Sequence, residues 1–204
     1  SRARLAHELP LVLGEREDGT PGTLDLLVNN AGVLHSGERF GHVEQSMLED
    51  SLRINAIGPF LLAQALAPLL RDVAYGVEGG HSLPDTRSVD RLPPTLDAAP
   101  SRTVIANISS QLGSIANTTR FGTPSYDISK AAQNMGSVLL ARALADRGIV
   151  VLALHPGWVQ TEMGGAQAQV APADAVTGLL RVIDAATQAQ SGSFIDWRGE
   201  PLPW

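Results

Sequence analysis

The chain has 204 residues, enough for one domain with a sizeable core, and its 44% hydrophobic content with 18% charged residues excludes wholesale disorder. A net charge of -6 argues against nucleic acid as the main partner, and no uninterrupted apolar run reaches the roughly 18–20 residues that span a bilayer. Cysteine is absent, which excludes disulfides and thiolate chemistry.

Residues 5–9 read as the end of a helix, charged and amphipathic rather than a secretory signal, and a Gly- and Pro-punctuated loop runs on to residue 23. Leu24-Asp25-Leu26-Leu27-Val28 is a short apolar strand ending in Asn29-Asn30-Ala31-Gly32. Over residues 43–70 the apolar spacing becomes helical, through Met47, Leu48, Leu52, Leu61, Leu62 and Leu66, and Pro59 predicts a kink there. Residues 72–101 are rich in Gly, Pro, Asp and Ser without any period, and read as a surface insertion at the end of the fold away from the chemistry.

Thr103-Val104-Ile105-Ala106-Asn107-Ile108 is the second strand, a glycine-bearing polar loop follows, and a helix spans about 125–145 with Gly148 closing it. Ile149-Val150-Val151-Leu152-Ala153-Leu154 is the third strand, broken by His155-Pro156-Gly157. A helix opens at Pro172 and runs to about 186, and Ser193-Phe194-Ile195-Asp196 is the last strand. Continuous apolar strands alternating with helices specify an α/β fold, a doubly wound parallel sheet in one domain over 1–204. Ligands of such sheets bind beyond the carboxyl ends of the strands, at Asn29 to Gly32, Ser109 to Gly113 and His155 to Thr161.

Of 15 basic residues, 14 are arginine and one is lysine, Lys130, four residues after one of only two tyrosines. Tyr126 and Lys130 therefore emerge on one helix face. A phenol titrates near pH 10, and a neighbouring ammonium is expected to lower that value, so that Tyr126 can give a proton to a carbonyl oxygen or take one from an alcohol. Ser109 and Ser110 offer hydroxyls at a strand end, with turn or cap serines as the plain alternative. No Gly-x-Ser-x-Gly elbow is present. Asn55 sits inside a helix, where a polar side chain needs a partner. His155 reads better as a structural histidine than as a catalytic one. Trp158, Met163 and Trp204 are candidates to line a substrate pocket, with packing on the last strand as the alternative for Trp204, and residues 162–171 read as a mobile lid. The remaining histidines show no metal-ligand spacing, and no metal is expected.

Asn29-Asn30-Ala31-Gly32, Asn55, the Ser110 loop, Tyr126-x-x-x-Lys130 and Pro156-Gly157 together resemble the short-chain dehydrogenase/reductase family. Within it, Leu112-Gly113-Ser114, the run from His155 to Gly165 and the ending Gly199-Glu200-Pro201-Leu202-Pro203-Trp204 are similar to the sniffer-like carbonyl reductases and C-factor proteins. The resemblance implies a Rossmann-like fold and a tetrad of Asn55, Ser110, Tyr126 and Lys130. In it Tyr126 is the acid-base and Ser110 holds the substrate carbonyl. Lys130 binds the nicotinamide ribose, and Asn55 anchors a water that relays protons. It implies further that Asn29, Ala31 and Gly32 lie along the adenosine side of the cofactor, and that Pro156, Gly157, Val159 and Thr161 meet its nicotinamide end. Ser110, Trp158 and Met163 would face the substrate.

The implied activity is oxidoreduction between a carbonyl (aldehyde, ketone or quinone) and its alcohol, with NADP(H) expected ahead of NAD(H) although the sequence does not decide between them. Relatives dimerise through the long helices around Asn55 and Tyr126, which leaves a homo-oligomer open, and composition makes a cytoplasmic enzyme the default reading. One departure stands out. The family's cofactor domain opens with a strand, a Gly-x-x-x-Gly-x-Gly turn and a helix facing the pyrophosphate, and no such turn occurs here. The chain reads as entering at the third helix, which is expected to leave an apolar sheet edge exposed. A signalling or interaction role on a truncated reductase scaffold, as in C-factor relatives, is the alternative reading.

Overall fold

The computed structural model describes residues 2–15, 19, 21–73 and 102–204. The expected insertion falls almost wholly on residues outside these. Of its described residues, Asp72 pairs with Arg147 and the Val73 N–H donates to the Arg147 carbonyl, beside the start of the third strand.

From the N-terminus, helix α1 (Arg2–Leu13) leads through a loop to strand β1 (Leu26–Asn29). This strand starts two residues later than its apolar run implied. Leu24 bonds instead to the end of the following helix: its N–H donates to the Leu69 carbonyl at 2.8 Å, and its carbonyl accepts from the Arg71 N–H at 3.0 Å.

The helix expected over 43–70 is one continuous run, Gln45–Leu69. It comprises α2 (Gln45–Ser51), a π-helical turn (Leu52–Ile57), α3 (Gly58–Leu66) and a 3-10 turn (Ala67–Leu69). The departure from α geometry lies ahead of Pro59, not at it. Proline has no N–H for the carbonyl four residues back, and the preceding Gly58 N–H reaches five residues back, to Arg53. Asn55 lies in this widened turn with no exposed surface.

Strand β2 (Thr103–Ile108), helix α4 (Pro124–Ala143), strand β3 (Ile149–His155), helix α5 (Pro172–Ala185) and strand β4 (Ser193–Asp196) follow within a residue or two of their expected places. Gly148, at φ 66°, supplies the left-handed residue that ends the 3-10 turn after α4. Among the described residues, Gln45–Leu69 is the one helix long and apolar enough to cross a membrane, with a mean hydropathy of 1.3, and it packs on α4.

The four strands form one parallel sheet in the order β1-β2-β3-β4. Alternate residues feed two cores. Ile105, Ile149 and Val151 pack with Ala63, Leu140 and Leu144 on one face, and Val104, Ala106, Val150 and Leu152 pack with Ile183 and Ala186 on the other. Helices therefore cover both faces, as the continuous apolar strands implied. The edge strand β1 leaves Leu26 and Val28 partly exposed. Asn29 pairs with Asn107, and His155 with Asp196, so the loops after β1, β2 and β3 leave the sheet on the same side.

Candidate active site

Pro124 starts α4 and brings Tyr126 and Lys130 into its first two turns, both buried. The Lys130 Nζ lies 5.6 Å from the centre of the Tyr126 ring. It donates to the Ile108 carbonyl at 2.7 Å and to Gln133 Oε1 at 2.9 Å. Burial lowers its pKa to about 8, because a desolvated ammonium loses its charge more readily.

The expected lowering of the phenol is not what this environment produces. Burial is the largest influence on Tyr126 and raises its pKa, a hydrogen bond with Ser110 lowers it in part, and Asp127 raises it. The Lys130 ammonium is held by Ile108 and Gln133. Desolvation of the phenolate is the stronger effect.

Ser110 follows β2 and caps the 3-10 turn Gln111–Gly113, its Oγ accepting from the Leu112 N–H at 3.2 Å. Its neighbour Ser109 turns the other way and donates to Asn134 Oδ1 at 2.6 Å. The structure thus brings Ser110, not Ser109, to the phenol. Gly113 allows the approach: a Cβ there would stand 2.7 Å from the carbonyl carbon of Lys130.

Asn55 is bound on every side. Its Nδ2 donates to the Val33 carbonyl and to Ser129 Oγ, each at 2.9 Å, and its Oδ1 accepts from the Val33 N–H at 2.8 Å. Ser129 passes the connection on to the Tyr126 carbonyl. Both amide protons are therefore committed, and the side chain clamps the loop after β1 to α4. Gly32 lies in that loop, where a Cβ would sit 3.3 Å from Asn55 Oδ1 and 3.7 Å from Lys130 Nζ. Ala31 is exposed beside it, whereas Asn29 is buried and gives its amide to Asn107 Oδ1 at 2.7 Å.

A cleft of about 440 Å³ opens above the phenol, bounded by Ser110, Tyr126, Pro156, Gly157, Val159, Thr161, Trp158 and Met163. Gly157 has φ +85°, and a Cβ on it would meet the Trp197 indole at 2.8 Å. Residues 158–170 fold back on themselves: Gln160 N–H bonds Val170 O, Val170 N–H bonds Trp158 O, and Trp158 Nε1 bonds Gly164 O. Trp204 lies apart from this cleft and stacks on Phe194 at 5.4 Å, the packing alternative. His155 borders the cleft, with burial lowering its pKa to about 4 against the pull of Asp196, and its buried Nδ1 lacks a partner. Among the described residues no group of three or more His, Asp or Glu comes together in a way that could hold a metal.

Sequence reasoning missed a buried polar layer. Ser125, Ser129, Gln133 and Ser137 recur every fourth residue on the inner side of α4, and Asn134 joins them. Asn107 Nδ2 donates to Ser137 Oγ, and Glu38 Oε2 accepts from the Ser125 N–H and hydroxyl at the start of the helix. The spacing was the available signal. Four-residue polar spacing usually marks a solvated face, and on α4 that face is buried instead.

The chain belongs to the short chain dehydrogenase family, whose family model matches residues 11–77 and 89–171. It is similar to C-signal of Myxococcus xanthus, at 35% identity over 183 residues, which is 90% of this chain and 94% of C-signal. It is also similar to 1-hydroxy-2-glutathionyl-2-methyl-3-butene dehydrogenase of Rhodococcus sp. (strain AD45), 29% identical over 89% of this chain and 69% of that enzyme. Solved structures share its fold, among them two carbonyl reductases. The carbonyl reductase Sniffer of D. melanogaster matches all of this chain and 73% of its own at 28% identity and TM-score 0.80. The NADPH-bound carbonyl reductase from chicken fatty liver does so at 30% identity and TM-score 0.79, again over 100% of this chain and 73% of its own. The chain thus belongs to an oxidoreductase family and has its Rossmann-like fold, and these two structural neighbours are carbonyl reductases.

Proposed function

We propose that the protein reduces a small carbonyl compound with NADP(H), Tyr126 giving the proton. The observation that carries this is the meeting of Ser110 with the Tyr126 phenol in the wall of a cleft beyond the strand ends, with Lys130 Nζ 5.6 Å from the centre of that ring. Ser110 orients the substrate oxygen. Tyr126, held protonated by burial, donates to that oxygen as charge develops on it. Trp158 and Met163, both half exposed, give the cleft an apolar wall against which a substrate can pack.

The residues present fit the nicotinamide and ribose end of such a cofactor. Gly32 leaves a space over Asn55 and Lys130 that a Cβ would fill, and Pro156, Gly157, Val159 and Thr161 line the cleft beside the phenol. Lys130 would hold the ribose, Ala31 and Gly32 its adenosine side, and Pro156, Gly157, Val159 and Thr161 the nicotinamide. When bound, the cofactor supplies the hydride. The NADPH bound by the chicken reductase supports NADP(H) over NAD(H). A cytoplasmic homo-oligomer without metal completes this reading.

A second reading has one observation in its favour: the likeness to C-signal covers 94% of that protein's length, against 73% for the reductases. It makes the chain a signalling or interaction protein on the same scaffold. NADPH consumption with a panel of quinones, ketones and aldehydes separates the two. Turnover by the wild type that Tyr126→Phe lowers by at least about a hundredfold is expected, within the range for a lost general acid. Equal rates in the two proteins would refute the proposed role of Tyr126.

A further inference from the structure

Lys130 is the single lysine of the chain, and its ammonium has three N–H groups. Two are taken, by the Ile108 carbonyl at 2.7 Å and by Gln133 Oε1 at 2.9 Å. The third is left for the side of Gly32, where a Cβ would stand 3.7 Å from Nζ. Gln133 is itself 2% exposed, and its Nε2 is buried without a partner. A leucine or methionine would fill the same volume without stranding an amide, so Gln133 is hard to explain by packing. The backbone of its turn is also fixed. Ser137 Oγ donates to the Gln133 carbonyl and accepts from Asn107 Nδ2, and Asn107 accepts in turn from Asn29.

We propose that Gln133 is a positioning residue for Lys130: its side-chain oxygen and the Ile108 carbonyl fix the ammonium from below, leaving one N–H directed at the cofactor ribose. The ribose part rests on the reductase reading above; the hold on the ammonium does not. Around Nζ stand the Tyr126 ring from α4, the Ile108 carbonyl from β2, Gly32 from the loop after β1, and Asn55 from the π turn across Gly32. Burial lowers the proton affinity, and no carboxylate or guanidinium among the described residues contributes. An acceptor on the ammonium favours the charged form. Gln133 therefore keeps Lys130 protonated to higher pH than burial alone would allow.

A single lysine permits a direct test. Protein labelled with ¹⁵N,¹³C-lysine gives one side-chain signal, whose pH titration is followed without cofactor in wild type, Gln133→Leu and Gln133→Glu. The expected midpoint falls by about one unit or more in Gln133→Leu and rises above wild type in Gln133→Glu. NADPH binding weakens roughly tenfold to a hundredfold in Gln133→Leu and is rescued in Gln133→Glu. The alkaline limb of the kcat/KM profile moves with the lysine midpoint in each variant. Thermal melts confirm folding, and Gln133→Met replaces Gln133→Leu if the latter does not fold. One midpoint common to all the proteins would overturn the proposal. A shifted midpoint with no NADPH turnover in wild type would leave Gln133 holding Lys130 and refute the reductase reading alone.

Discussion

Gly113→Ala tests how the site is assembled. Gly113 closes the turn that presents Ser110, and it lies against the backbone of α4 where Lys130 is carried. An alanine Cβ would stand 2.7 Å from the Lys130 carbonyl carbon, 2.8 Å from its Cβ and 3.0 Å from the Ala131 nitrogen. Carbon atoms in contact settle near 3.5 Å, so helix and turn must separate by roughly 0.7 Å. Overpacking of this kind costs about 1–3 kcal/mol, which for a domain of this size is a fall in Tm of about 2–12 °C. The same displacement draws Tyr126 and Lys130 away from Ser110. Activity should therefore fall roughly tenfold to a hundredfold, since errors of about 1 Å in a reacting geometry cost about a hundredfold.

Gly136→Ala is the control. It lies on the same helix, but its Cβ would meet only Phe60 Cδ2, at 3.4 Å. Replacing a helical glycine there should be neutral or stabilise by up to about 1 kcal/mol. The measurements are thermal melts and NADPH consumption on all three proteins. A Gly113→Ala protein that melts and turns over as the wild type does would refute the close approach of turn and helix.

Two further outcomes concern pH. His155 binds its proton less readily in the fold, at about 4 against 6.5, so between these values the unfolded chain carries more protons. Stability from this group is complete above pH 6.5 and falls by roughly 3 kcal/mol as pH drops to 4. Urea midpoints at pH 7 and pH 4 should differ more for wild type than for His155→Gln, and equal differences would contradict the burial of a neutral imidazole. Lys130 works at the other end of the scale: lowered to about 8 from 10.5, it makes the wild type gain roughly 3 kcal/mol as pH rises across that interval. Lys130→Met should lack this gain in the same urea assay.

Strands β2 and β4 have the bounds their sequences implied, because residues such as Val104, Ile105, Phe194 and Ile195 are buried on both faces and end at polar turns. The start of β1 was less legible. Leu24 is as apolar as Leu26, but its backbone is claimed by Leu69 and Arg71, and a partner distant in sequence leaves no local mark. Pro59 pointed to irregularity in its helix, while the π turn ahead of it holds Asn55, whose partners Val33 and Ser129 are distant in sequence. Tyr126 and Lys130 were legible for a chemical reason, a solitary amine four residues from a rare phenol. The layer of Ser129, Gln133, Asn134 and Ser137 was not, because spacing alone cannot tell a buried polar stripe from a wet one.

The direction of the tyrosine shift bears on the form in which Tyr126 waits for its substrate. Depth of burial is a tertiary property, and from sequence the charge of Lys130 was expected to prevail over it. In the folded chain desolvation acts on both groups, raising the phenol and lowering the ammonium, so each is pushed toward its neutral form. A neutral phenol at neutral pH already holds the proton that an alkoxide needs. Alcohol oxidation needs the phenolate, which the same burial disfavours. On the proposed reading the fold therefore keeps Tyr126 in its acid form at neutral pH, ready to protonate the oxygen that receives the hydride.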